Sequence, residues 1–403
     1  MRSIELFAGA GGLALGTSLA GFKHDAVLEW DADACRTLRR NQSLGVDHVR
    51  DWEIIEGDVC NYDFHPHADK ALVVCGGPPC QPFSLGGKHR GSEDHRNMFP
   101  QAVRAVREIR PRAFMFENVK GLLRQNFANY YSYIIHRFRF PDVPLRGDED
   151  WQHHLSRLER LHTGGRYQGL RYNVVFQLLN AADFGVPQIR ERVFIVGVRA
   201  DMGIRFSFPS PTHTDDALLY SKWVTGEYWE RHRVRNCDRP SIVERKQRRV
   251  ERLRSYIPGI LGRPWRTVRD AIGDLPRISI GQRSSRIANH FLNPGARSYP
   301  GHTGSSLDEP AKTLKAGDHG VPGGENTLRL DDGGVRYFSV RECARLQTFP
   351  DEWELEGSWT ESMRQLGNAV PVSLAEVVAR QLIGVAAPIV GASACENVGR
   401  SAR

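Results

Sequence analysis

Over the first 125 positions, apolar residues come in short unbroken runs, each closed by a turn and followed by a stretch with helical spacing. Ile4–Phe7 reads as a strand and Leu13–Ala20 as a helix after a glycine-rich turn. Ala26–Glu29 reads as a strand and Ala32–Asn41 as a helix. Ala71–Cys75 is a short apolar strand, Phe99–Ile109 repeats apolar residues at helical spacing, and Ala113–Phe116 is again a strand. Runs of this kind suit a parallel sheet covered on both faces. The predicted fold class is therefore α/β, a doubly wound Rossmann-like sheet. From about 139 to 170 the chain turns polar and reads as an inserted segment, with a helix around Trp151–His162. Strands resume at Tyr172–Leu179 and Val193–Val198, closing a first domain over 1–198.

Periodicity weakens from 199 to 336, where Pro, Gly, Arg and aromatic residues are dense. This predicts a smaller, irregular second domain rich in loops, with Glu244–Arg254 as a strongly basic helix face. Ser339–Phe349 reads as a helix and Ser373–Ile383 as an amphipathic helix after Pro371. The segment 337–387 is expected to return and complete the first domain, and 388–403 to be a disordered tail.

Composition narrows the class. With 40% hydrophobic and 25% charged residues the 403-residue chain is typical of a soluble globular protein. No run of about 18 apolar residues predicts a membrane span, and Met1-Arg2-Ser3 opens no signal peptide. The seven cysteines contain no Cys-x-x-Cys pair, so neither a zinc site nor a thioredoxin-like motif is signalled. Their odd number, without a secretory signal, points to a reducing cytosol. The net charge of +8 favours polyanionic partners through counterion release.

Three segments carry candidate chemistry. Phe7-Ala8-Gly9-Ala10-Gly11-Gly12 lies between the first strand and its helix, where glycines let a ligand approach the backbone. It fits a dinucleotide, a methyl donor or a plain tight turn. Glu29 ends the second strand, where an acidic residue typically meets a ribose hydroxyl, and Trp30 beside it offers a stacking face. Asp58, in Glu56-Gly57-Asp58-Val59, fits an adenine amine. The third segment, Gly76-Gly77-Pro78-Pro79-Cys80-Gln81-Pro82-Phe83-Ser84, directly follows an apolar strand. It would hold Cys80 in a rigid turn at the end of a strand where such sheets bind ligands. A basic, glycine-containing stretch, Gly86–Gly91, follows.

Together these strings resemble the C5-cytosine-specific DNA methyltransferase family. Later positions extend the resemblance. Phe116-Glu117-Asn118-Val119 matches the family's Glu-Asn-Val, Gln188-Ile189-Arg190-Glu191-Arg192 its Gln-x-Arg-x-Arg, Arg341–Pro350 its Arg-Glu-x-Ala-Arg element, and Gly367-Asn368-Ala369-Val370 its C-terminal motif. Six ordered matches span nearly the whole chain.

The resemblance implies methyl transfer from S-adenosylmethionine to C5 of a cytosine flipped out of duplex DNA, through a covalent bond from Cys80 to C6. It implies catalytic roles for Cys80, Glu117, Arg190 and Arg192. Glu117 would hold the Watson–Crick edge, Arg192 the cytosine O2, and Arg190 the catalytic loop or the Cys80 thiolate. The cofactor pocket would comprise Phe7, Ala10, Gly11, Gly12, Glu29, Trp30, Asp58, Val59, Pro79, Met98, Asn368 and Ala369, where relatives often carry Leu at Met98 and Ser at Ala369. Ser84, Lys88, Arg90, Arg96 and Thr313 would contact DNA, with 84–97 as the closing loop and 199–336 as the target-recognition domain. No metal is implied. A prokaryotic, cytoplasmic, nucleoid-associated monomer is expected, with a restriction endonuclease as companion in a restriction–modification system. Three rivals stand beside this reading: an RNA C5-methyltransferase, a non-catalytic DNA-binding relative, and a dinucleotide oxidoreductase that would leave the Pro-Pro-Cys segment unexplained.

Overall fold

A computed structural model describes residues 1–79, 97–256, 259–298, 303–316, 326–330 and 332–386. Cys80, Ser84, Lys88, Arg90 and Arg96 lie outside these described residues.

The first domain follows the predicted alternation: β1 (Arg2–Leu6), α1 (Gly12–Leu19), β2 (Lys23–Glu29), α2 (Ala32–Ser43), β3 (Ile54–Glu56), β4 (Val73–Gly76), α3 (Phe99–Ile109) and β5 (Ala113–Val119). Helices α4 (Ala128–Arg139) and α5 (Trp151–Gly164) precede β6 (Tyr172–Asn180) and β7 (Glu191–Arg199). Seven strands form one sheet in the order β3-β2-β1-β4-β5-β7-β6.

Strands β1 to β5 are parallel, but β7 runs antiparallel to both β5 and β6, so the sheet is mixed rather than wholly parallel. The connection from 181 to 190 explains the difference. It holds a short 3₁₀ turn and no crossover helix, and a parallel return needs a connection of a dozen or more residues. The reversal has a chemical consequence: it brings the start of β7 beside the end of β5.

One sheet face packs Ile4, Leu6, Leu28, Val74, Phe114 and Phe116 in a core with α3 and α4. Val73, Cys75, Met115 and Val196 pack on the other face with Leu13 of α1 and with the C-terminal helix. Part of the predicted insertion joins the first of these cores, since α5 buries Leu158 there and the Tyr133 hydroxyl meets His154 Nδ1 at 3.0 Å.

The segment 199–336 is better ordered than its weak periodicity suggests. It contains β8 (His213–Thr214), α6 (Asp215–Tyr220), a π-helical turn (Ser221–Thr225), α7 (Glu227–Arg231), α8 (Glu244–Leu253), β9 (Arg263–Pro264) and α9 (Val268–Ile272). Leu218, Tyr228 and Trp229 form one small core, and Leu219, Val250 and Leu253 another. A hairpin of β10 (Thr327–Arg329) and β11 (Val335–Tyr337) leads into α10 (Val340–Leu346), α11 (Trp359–Asn368) and α12 (Val372–Ala386). Ser339 and Glu342 cap α10 reciprocally. Trp359–Ala386 has the length and composition of a membrane span. It is in fact two helices broken around Pro371, and α12 packs against α1.

That last contact depends on glycine. A Cβ on Gly12 would lie 2.2 Å from the Val370 carbonyl oxygen, and one on Gly16 would lie 2.4 Å from that of Val372. Only hydrogen at these positions lets the first helix meet the last segment of the fold.

Glu5, in the middle of β1, is fully buried in register with Cys75, and neither carboxyl oxygen has a hydrogen-bond partner. Burial raises its pKa well above the ordinary 4.5. The native state thus keeps a proton that the unfolded chain loses near that value. This stabilises the fold at low pH, and the contribution is lost as pH rises through the raised pKa. Glu5→Gln is expected to gain thermal stability over the parent as pH increases above the carboxylate range. Parallel melting curves at several pH values would check this, and a constant difference would contradict it.

Candidate active site at the carboxyl ends of the strands

The carboxyl ends of β1, β2, β4 and β5 converge with the start of β7, and the residues singled out above sit there. The loop after β1 departs from regular geometry at once: Phe7 has φ of 58°, in the left-handed region. The loop is held by Glu29, whose Oε2 accepts from Gly9 N at 2.6 Å while its Oε1 accepts from the amides of Trp30 and Asp31 at 2.9 Å. Burial raises the Glu29 pKa, against the lowering effect of these three N–H groups. Beside this carboxylate the Trp30 ring stands 76% exposed, which is costly for an indole without a ligand. Asp58 caps the turn after β3 through Oδ1, which accepts from Cys60 N at 2.9 Å. Ala10, Gly11, Gly12 and Val59 are buried and contribute to the walls or the backbone. Phe7 and Met98 pack, partly buried, on the edge of the sheet core.

On β5, Glu117 is buried and its Oε1 lies 2.7 Å from Arg192 Nε. Their strand pairing explains the meeting: Glu117 is opposite Phe194 and Val119 opposite Arg192, so the two side chains are diagonal neighbours on one face. The ion pair is close but poorly aligned for hydrogen bonding, and Oε1 retains an unfilled acceptor. Burial raises the Glu117 pKa, with Arg192 and, less, Arg190 opposing it. The cost of burying the charge exceeds what the two arginines return, which leaves a carboxyl group ready to hold a proton.

The turn leading to residue 80 is tied to the same place. Asn118 Nδ2 donates to the Pro78 carbonyl at 2.9 Å, and the Pro79 carbonyl accepts from Met98 N at 3.1 Å. A Cβ on Gly77 would be 3.4 Å from Glu117 Oε2, so the backbone approaching Cys80 runs beside that carboxylate. Asn118 carried no assigned role in the sequence, although its place after Glu117 at a strand end was the available signal. Buried Asn97, whose amide meets the Tyr130 hydroxyl and whose Oδ1 accepts from Phe99 N, fixes the other end of the segment in the same way.

Arg190 is the most deeply embedded of these side chains. It is fully buried, and its guanidinium donates to three backbone carbonyls: Leu314 at 3.0 Å, Gly367 at 2.7 Å and Ala369 at 2.7 Å. Burial lowers its pKa, partly offset by Glu117. It lies within electrostatic reach of Glu117, and its hydrogen bonds join the β7 entry to the stretch at Leu314 and to the segment Gly367–Ala369. Fully buried Gln188 reinforces this joint, accepting from Leu314 N at 3.1 Å and donating to the Leu346 carbonyl at 3.3 Å. Thr313 is also engaged, its hydroxyl donating to the Ile189 carbonyl at 2.7 Å. Asn368 is exposed at the end of α11, and Ala369 is buried.

Arg190→Met would leave three buried carbonyls without a donor. A loss of about 3–5 kcal/mol is expected, as for removing one partner of a buried ionic network. Denaturant unfolding would measure it, and a loss under about 1 kcal/mol would place the strength of the joint elsewhere.

The chain is similar to known proteins over nearly its whole length. The profile of the C-5 cytosine-specific DNA methylase family matches residues 1–141 and 158–384, passing over 142–157 within the predicted insertion. The type II methyltransferase M.PspPI of Psychrobacter is 34% identical over 94% of this chain and 78% of its own length. M.NgoMIV of Neisseria gonorrhoeae is 30% identical over 94% of this chain and 96% of its own. Among solved structures, an Escherichia coli prophage protein described as a DNA modification methyltransferase superposes with a TM-score of 0.57 at 20% identity. The match covers 96% of this chain and 99% of that one. The DNMT2 of Spodoptera frugiperda gives a TM-score of 0.54 at 14% identity over 96% and 99% of the two chains.

Proposed function

This chain belongs to the C-5 cytosine-specific DNA methylase family and is a DNA (cytosine-5)-methyltransferase of the type II restriction–modification kind; from that premise we propose a covalent route in which Cys80 bonds to C6 of an extruded cytosine. The observation that carries the proposal is the buried Glu117–Arg192 pair beside the backbone that leads to Cys80.

The residues at the strand ends fit S-adenosylmethionine: an exposed indole at Trp30, a ring at Phe7, and the Glu29 and Asp58 carboxylates. When bound, it supplies a sulfonium methyl group. Met98, Pro79 and the 367–369 backbone would close the pocket.

C5 of cytosine is a weak nucleophile. The Cys80 thiolate forms a bond to C6 while Glu117 delivers its proton to N3, so the C5=C6 electrons become available at C5. Arg192 binds O2 and steadies charge on the ring. With the methyl donor held by Trp30, Phe7, Glu29 and Asp58, C5 so activated would take the methyl group, releasing the donor's sulfur as a neutral thioether. Removal of the C5 proton by a base restores the C5=C6 bond and expels the Cys80 thiolate, and the N3 proton returns to Glu117. The raised pKa of Glu117 fits this alternation between donor and acceptor.

Two experiments test the reading. Bisulfite sequencing of a plasmid, before and after expression of the chain, should show new methylation at one sequence context. Duplex DNA carrying 5-fluorocytosine at that context should trap a covalent complex that maps to Cys80 in the presence of methyl donor. Methyl incorporation into tRNA instead of DNA, or no trapped complex in an active preparation, would overturn it.

A further inference from the structure

Helix α8 of the recognition region has two chemically different sides. Its inner side is bound to the rest of the domain. Lys246 Nζ lies 3.1 Å from Glu309 Oε1, Arg249 bridges Asp215 and Asp216 at 2.6 and 2.5 Å, and Val250 and Leu253 are buried. These contacts fix the rotation of the helix about its axis.

On its outer side Arg245, Arg248 and Arg252 are exposed, and among the described residues none of them makes a side-chain ion pair or hydrogen bond. Their spacing of three and four residues places them on one face, over about 10 Å of helix axis. Of the two acidic residues in the helix, Glu251 is taken by Arg254 at 3.1 Å and Glu244 lies in the first turn. Like charges at this spacing repel and weaken a helix. The row gains energy only when a polyanion lies against it.

Its place relative to the active site is bounded by the chain. Glu309, which holds Lys246, is five residues from Leu314, whose carbonyl accepts from Arg190. Five residues reach at most about 18 Å. Both ends of this strap are pinned, one by the bidentate Arg269–Asp308 pair at 2.6 and 3.0 Å, the other by Leu314 N donating to Gln188 Oε1 at 3.1 Å, and its middle is held by Ala311 N donating to the Pro187 carbonyl at 2.9 Å. Helix α8 is thus tied by one short strap to the entry of β7, the strand that carries Arg192 of the Glu117–Arg192 pair.

We propose that Arg245, Arg248 and Arg252 form a ridge that grips the phosphate backbone of duplex DNA beside the methylated base. This rests on the function proposed above. Three guanidiniums over about 10 Å cover about three phosphate intervals of 3.4 Å of axis on one strand, and their long side chains can each reach a separate phosphate. Such contacts position the duplex without choosing its sequence.

The test compares the parent with R245Q/R248Q/R252Q, binding duplexes that contain or lack the methylated context, from about 50 to 300 mM salt. The expected slope of log affinity against log salt is shallower by about 2–3 units, or about 0.9 per lost phosphate contact. At 0.15 M salt this corresponds to binding weaker by about 100-fold on both duplexes. The same cytosines should be methylated, the melting midpoint should hold, and R245K/R248K/R252K should restore most of the slope. An unaltered slope in a folded variant overturns the ridge alone, and so does a changed sequence preference, which would mean base readout. A parent that neither binds nor methylates duplex DNA overturns the proposed function, and the ridge with it.

Discussion

Serine in place of Cys80 is expected to abolish methyl transfer, lowering the single-turnover rate by at least about 10⁴-fold, the scale seen when a covalent nucleophile is removed. A hydroxyl at this position would remain protonated at neutral pH, whereas a thiol near its ordinary pKa already supplies some thiolate, and thiolate is the stronger nucleophile. Among the described residues no thiol stands ready as a substitute. Cys75 is buried within β4, and burial with Glu5 nearby pushes its thiol pKa well up; Cys60 is exposed on the turn after β3. The backbone supports before residue 80, Asn118 on Pro78 and Met98 on Pro79, involve no sulfur and should survive the change. DNA binding is therefore expected to persist while chemistry stops. Labelled methyl incorporation under single-turnover conditions, beside a gel-shift measurement, separates the two. Turnover within about tenfold of the parent would remove Cys80 from the mechanism.

Glu117→Gln is expected to lower the chemical step by about 10²- to 10⁴-fold, the usual contribution of a positioned proton donor. Glutamine can still accept a hydrogen bond from the cytosine amine but has no proton for N3. The pH profile supplies a second readout. The protonated form of Glu117 is lost as pH rises through its raised pKa, so the parent should show a rate that falls on the alkaline side. The variant should lack that fall and keep only the rise from thiolate formation. Because the substitution also leaves buried Arg192 without its counter-charge, a melting curve must accompany the kinetics. A folded variant that keeps the parent's rate and its alkaline limb would assign the N3 proton to another group.

These residues were legible in the sequence because each lies in a short contiguous string next to a strand whose apolar run announces it. Phe114-Met115-Phe116 could only be a buried strand, and Glu117 then had to stand at its end. What the sequence concealed depended on partners far along the chain. Arg190 reads as a companion to Arg192, yet its carbonyl partners are 124, 177 and 179 residues away. Asn118 holds a carbonyl 40 residues earlier. Helix α4 was missed because its run of Tyr, Phe, His and Arg has no clean polar face: it is buried between sheet and insertion. Helix α11, Trp359–Asn368, carried no assignment in the sequence: it begins with a polar turn and ends in Gly367 and Asn368, both poor helix formers. Lys246 and Arg249 looked identical to Arg245 and Arg248 in composition, and only the position of Glu309 and the two aspartates separates ties from free charges.

The seam between α1 and the segment around Val370–Val372 also orders events during synthesis. Translation delivers the loop at 7–12 first, but the stretch that presses on Gly12 and Gly16 comes more than 350 residues later. A nascent polypeptide that has passed Cys80, Glu117 and Arg192 still lacks the layer that holds its first helix in place, and Arg190 still lacks all three of its carbonyls. The first helix and the entry to β7 are therefore expected to gain their final support only after the C-terminal helices have been made and have docked.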